Sequence, residues 1–209
     1  MGRLKPLVLR NGVEVEDPLA TLLGFLERWT FDFGEVSGPD SFGEPDLRLA
    51  NRGGARMSAA EIAAVLARRR RIGSALRAIA SDASLTGAAS SVPWLPLRRL
   101  YDAFADLRGV GFSKMTKALH PKRPALIPML DSAVQSYLED DDPGSQAPFG
   151  ERALALTRGY KRDLDRNRAA LGALRRELAR RDYALTEVRI LDLLIWALMA
   201  SGLPDGTGE

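Results

Sequence analysis

The first place to look for chemistry is Leu107-Arg108-Gly109-Val110-Gly111, a hydrophobic-x-Gly-hydrophobic-Gly turn between two segments with helical spacing. Such a turn presents free backbone N–H groups at the start of the second helix, where the helix dipole also favours negative charge. It can grip a nucleic-acid phosphate without reading sequence. Lys114 and Lys117 follow on the second helix, and Lys122 and Arg123 come just after it. Only five of the 30 basic residues are lysines, yet three of those five fall between positions 114 and 122. Phosphate contact and chance are the two readings of that cluster. Lys122 and Arg123, ahead of an X-Pro step, either bind phosphate or solvate a loop.

Other residues carry paired readings. Asp131, in Pro128-Met129-Leu130-Asp131-Ser132-Ala133-Val134, precedes an apolar-periodic segment and reads as an N-cap worth about 1 kcal/mol. Asp192 sits inside an apolar helix, where a carboxylate is expensive unless paired, so it is either salt-bridged to an arginine or a second active-site carboxylate. His120, beside Pro121, reads as a helix C-terminal cap or a general base. Trp94 is core packing or a stacking wedge. Arg68 to Arg71 point around more than half of a helix, as a solvated face or a phosphate patch.

Composition excludes much. The 209 residues contain no cysteine and one histidine, so disulfides, thiol nucleophiles, Cys-ligated zinc and iron–sulfur clusters are impossible, and no multi-histidine metal site exists. The expectation is no metal and no cofactor. A net charge of +3 says little about partners. No segment has the roughly 20 apolar residues of a bilayer span, and the N-terminus does not open a secretion signal, which predicts a soluble cytoplasmic chain without a membrane partner.

The elements that must position these residues are mainly helical. Residues 7–16 flank Asn11-Gly12 with β-branched side chains and predict a hairpin with a two-residue type I′ turn. Asp17 caps a helix carrying Leu19, Leu22, Leu23, Leu26 and Trp29 on one face. Residues 31–56, rich in Gly, Pro and Asp, read as a long loop with a turn of helix near Leu47–Asn51. Ser58 and Glu61 form an S-x-x-E capping box opening a helix that runs to Ile79. Helices follow from Pro96, from Phe112, over 132–138, 151–168 and 169–181, and over 186–201, the last apolar nearly all round and so a core helix. The fold class expected is a mainly α single domain over 1–201, with a helix-hairpin-helix at 97–119, a small N-terminal β-hairpin and a flexible tail at 202–209.

The turn and the Pro-x-x-Asp segment together resemble the helix-hairpin-helix of the base-excision DNA glycosylase superfamily, whose pattern continues about 20 residues after the turn with apolar-Pro-x-x-Asp-x-x-Val. The resemblance implies duplex DNA as partner, with Gly109, Gly111, Ser113, Lys114, Lys117, Lys122 and Arg123 contacting nucleic acid. It implies Asp131 as the catalytic carboxylate, stabilising the oxocarbenium charge as a flipped base leaves. Members that also cut the sugar–phosphate chain carry a lysine where this chain has Ser113, so the implied chemistry is monofunctional N-glycosidic hydrolysis. Over most of its length the chain resembles an uncharacterised bacterial domain-of-unknown-function family, through Gly109-Val110-Gly111, Lys122-Arg123-Pro124-x-Leu126-Ile127-Pro128-x-x-Asp131 and Arg189-Ile190-Leu191-Asp192-Leu193-Leu194-Ile195-Trp196. The alternatives are a non-catalytic helix-hairpin-helix DNA-binding module and a scaffold or regulatory protein without a nucleic-acid partner.

Overall fold

A computed structural model describes residues 6–28 and 37–201. Trp29, the first part of the expected 31–56 loop and the 202–209 tail lie outside the described residues. Among those described, ten α-helices and a two-stranded antiparallel sheet bear out a mainly helical chain with a small N-terminal hairpin. No helix among them is long and apolar enough to cross a membrane.

The hairpin pairs β1 (Leu7–Val8) with β2 (Glu14–Val15) in the register Leu7 to Val15 and Val8 to Glu14. That register leaves five residues in the connection, closed by a 3-10 turn at Arg10–Gly12, in place of the two-residue type I′ turn. Arg10 is drawn to Asp163 at 2.8 Å and Asp141 at 2.5 Å, while Asn167 exchanges two hydrogen bonds with the backbone of Val8. The turn is thus fixed by its contacts with distant residues, which outweigh the local Asn-Gly preference.

Helix α1 (Pro18–Arg28) starts as expected, with the Ala20 N–H donating to Asp17 Oδ1 at 3.0 Å. Helix α2 (Glu44–Arg52) is longer than the single turn expected in that stretch. The Ser58–Glu61 capping box forms at the start of α3 (Ala59–Ala67), both reciprocal hydrogen bonds being present. The helix expected to continue to Ile79 breaks at Arg68, whose guanidinium donates to the Ala103 and Ala105 carbonyls, and α4 (Arg69–Arg77) begins anew. Arg69, Arg70 and Arg71 are exposed, which fits the solvated-face reading.

Helices α5 (Trp94–Asp102), α6 (Phe112–Leu119), α7 (Ser132–Tyr137), α8 (Phe149–Arg166), α9 (Arg168–Ala179) and α10 (Glu187–Ser201) complete the chain. Trp94 packs against the core, donates from its indole to the Ala89 carbonyl at 3.0 Å and lies under Arg158. Helix α10 buries Val188, Ile190, Leu191, Leu193, Leu194 and Ile195 against α1, α7, α8 and α9. Each such side chain is worth about 1.5–3 kcal/mol of transfer free energy, which makes α10 a rigid wall for whatever it presents sideways. Within 97–119, α5 packs chiefly on α8 and α4, whereas α6 packs on α2 and on the 3-10 turn His120–Lys122.

Candidate functional site

Four hydrogen bonds fix the irregular strap Ile127–Asp131 between α6, α7 and α10. His120 Nδ1 donates to the Ile127 carbonyl at 2.6 Å, and the Leu130 N–H donates to Thr116 Oγ1 at 3.0 Å. Gln135 Nε2 donates to the Leu130 carbonyl at 2.7 Å, and the Met129 N–H donates to Asp192 Oδ2 at 3.2 Å. The strap thereby brings Asp131, at the start of α7, to the same cavity as Asp192 in the middle of α10. His120 does hold the C-cap of α6, but burial first and the charge of Arg189 second push it down to about 4. It is therefore neutral at physiological pH, neither a cationic cap nor a base facing the cavity.

The cavity measures about 220 Å³. Asp192 and Arg189, 3 % and 7 % exposed, form its deep end with Met129 and Leu193. Phe25 of α1 and Trp196 of α10 line it edge to face, with ring centroids 5.0 Å apart. Exposed Arg52, Gly53 and Gly54 make the rim, together with half-buried Lys117, whose Nζ donates to the Gly54 carbonyl at 3.2 Å. Asn51 ties this rim down by exchanging two hydrogen bonds with the backbone of Met57. Gly54 sits at φ +80°, a conformation that glycine adopts without strain.

The electrostatics of this lining are uneven. Burial pushes the Asp192 carboxyl up to about 7; Arg189, the Met129 N–H and Tyr160 pull it down, while Asp131 adds to the rise. Asp192 Oδ1 is buried and has no hydrogen-bond partner, an arrangement that costs about 1–3 kcal/mol unless a ligand or a proton compensates it. Arg189, on the same helix, acts on Asp192 through its charge and forms no salt bridge with it, and Asp192 also faces the cavity. Lys117 is pushed down by burial, with Arg189 and Arg56 acting in the same direction and Asp131 against them. Asp131 caps α7, its Oδ1 accepting the Val134 N–H at 3.0 Å, and lines the cavity as well.

The residues implied for nucleic-acid contact do not come together. Lys117 alone among them reaches the cavity with Asp131. Lys122 is buried, paired to Asp46 at 2.6 Å and donating to the Ser37 and Gly38 carbonyls. Arg123 is wholly buried and donates to the Ile79, Leu76, Pro39 and Lys122 carbonyls and to Asp40. Both are corrections: the interior consumes these two cations, and neither side chain is available to a phosphate. Lys114 pairs with Glu61 at 2.7 Å. Gly109 adopts φ +80°, and a Cβ there would collide with the same Glu61 carboxylate. An anion therefore already stands over the Gly109–Gly111 turn. Gly111 is the N-cap of α6, and Ser113 lies half-buried on that helix away from the cavity lining.

Sequence reasoning missed Phe25, Arg52, Gly53, Gly54 and Met129 altogether. Asp131, Lys117 and Asp192 were singled out in the sequence for separate reasons, and all three line the cavity. The model of a family of unknown function (DUF6308) matches residues 37–199, so the chain belongs to that family. No curated protein and no solved structure matches the chain.

Proposed function

We propose that this member of the family hydrolyses the N-glycosidic bond of a nucleoside unit bound in the cavity, with Asp192 as acid and Asp131 as the opposing carboxylate. The observation that carries the reading is that two carboxylates from distant parts of the chain share one small cavity with two aromatic rings and three cations. A carboxyl held near neutrality by burial is the group that can deliver a proton at physiological pH. As the C1′–N bond breaks, its electron pair leaves with the base, which takes the Asp192 proton. The oxocarbenium charge that develops is stabilised by the Asp131 carboxylate, and the oxygen of water bonds to C1′ while its proton passes to Asp131. Transfer of that proton back to Asp192 through solvent resets the pair.

The likeness of Gly109–Gly111 and Asp131 to the DNA glycosylases supports this bond type. A phosphate-gripping helix-hairpin-helix at 97–119 draws less support, since Glu61 occupies the turn. Incubation with a panel of nucleosides, nucleotides and base-damaged duplexes, with free base resolved by chromatography, tests the proposal. Base release by the wild type, lost in Asp131→Asn and in Asp192→Asn, is expected. Asparagine caps helices as well as aspartate does, so Asp131→Asn keeps the fold while removing the carboxylate. Activity surviving that change would remove Asp131 from the mechanism.

A further inference from the structure

We infer that the substrate is a free nucleoside monophosphate, its ring in the buried end of the cavity and its phosphate between Lys117 and Arg52 at the rim. This rests on the hydrolase reading above and names the substrate class of that same site.

Size is the first argument. A cavity of about 220 Å³ lies below the roughly 300–1,000 Å³ that encloses a drug-sized ligand, so it encloses one heterocycle and leaves the rest of the ligand at its mouth. Chemistry grades from inside to outside in the matching order. The deep end offers the unpartnered Asp192 Oδ1, a group that hydrogen-bonds a ring edge, while the wall offers Phe25 and Trp196. The rim offers exposed Arg52 and half-buried Lys117.

Charge is the second. Among the described residues, Arg52 and Lys117 stand at the rim, and the charge of Arg56 also reaches Lys117. These cations repel one another, and a dianion at the rim relieves that repulsion. The rim backbone does not compete for this role. The N–H groups of Gly53, Gly54 and Ala55 are spent on the Leu49, Asn51 and Ala50 carbonyls, so the phosphate must be held by side chains.

The third argument separates a free nucleotide from duplex DNA. A duplex needs cations spaced along its backbone. Within 109–123, Lys114 is neutralised by Glu61, and Lys122 and Arg123 are buried. Of the lysines and arginines in that stretch, Lys117 is the one left for a phosphate, and it lines the cavity.

Calorimetric titration of the full chain with the common ribo- and deoxyribonucleoside 5′-monophosphates, their nucleosides, inorganic phosphate and a short duplex tests this. At least one monophosphate should bind about tenfold or more tightly than its own nucleoside, the margin of a charge-assisted phosphate contact. Lys117→Met and Arg52→Met should each erode that ratio while leaving nucleoside affinity in place; Arg52 is exposed, so its variant folds. Equal affinity for nucleoside and monophosphate, no binding of any monophosphate, or a duplex that outcompetes them would overturn the inference. Monophosphate binding with no base released by the wild type keeps the inference and sinks the reaction. Base release from duplex alone does the reverse.

Discussion

Replacing Asp192 with asparagine should stabilise the protein at neutral and alkaline pH while abolishing base release. In the fold, burial holds the Asp192 carboxyl at about 7 against 3.8 for the free side chain, with Arg189, the Met129 N–H, Tyr160 and Asp131 as the other groups facing it. The folded state thus binds a proton more tightly than the unfolded chain, and stability falls as pH rises from about 4 to about 7. The gap between 3.8 and about 7, at about 1.4 kcal/mol per pH unit, amounts to roughly 4 kcal/mol. Asparagine is neutral throughout, keeps an acceptor for the Met129 N–H and has nearly the same volume. Urea unfolding of wild type and Asp192→Asn at pH 5, 7, 8 and 9 reads the difference directly, because every other titrating group is common to both proteins. The variant should gain only a fraction of that figure at pH 5 and several kcal/mol at pH 8 and above. A difference independent of pH would refute the argument that Asp192 is held protonated by burial. A stabilised but inactive variant has a plain reading: the carboxyl is retained for chemistry at a cost in stability.

Three further outcomes follow from the same geometry. His120, lowered to about 4 from 6.5 by burial and Arg189, supports the fold fully above pH 6.5; that support is lost as pH falls toward 4, by roughly 3 kcal/mol, and its imidazole signals should stay neutral in an NMR titration down to about pH 5. Asp131→Ala should lose about 1 kcal/mol of stability through the α7 cap while Asp131→Asn loses little, as compared by urea midpoints. Arg123→Met should cost about 3 kcal/mol or more, because several buried carbonyls and Asp40 lose their donor; a midpoint close to wild type would contradict the interior role given to that guanidinium.

Where local chemistry decides structure, the chain was readable. Asp17, the Ser58–Glu61 box and Asp131 cap their helices because each cap closes within three or four residues. The apolar run of α10 implied a core position, and it has one. What was not readable depends on partners far along the chain. Lys122 is indistinguishable in sequence from a solvated lysine until Asp46 and the Ser37 carbonyl are beside it. Asn11-Gly12 promised a tight turn, yet Arg10 reaching Asp163 and Asp141 set a longer one. Glu61 looked like a cap alone; its second oxygen holds Lys114. The cavity rim at Arg52–Gly54 lies at the end of a helix of which the sequence showed only a turn near Leu47–Asn51, and only tertiary packing sets it opposite Lys117.

The central claim, that Asp131 and Asp192 work together on one bound nucleoside unit, is tested most directly by following free base from a nucleoside 5′-monophosphate panel with wild type, Asp131→Asn and Asp192→Asn. The wild type is expected to release base from at least one member, with a rate that falls as pH rises through about 7 as Asp192 loses its proton, and both variants are expected to be inactive though folded. Release that continues undiminished in either variant would contradict the account, as would a wild type that binds the panel and releases nothing.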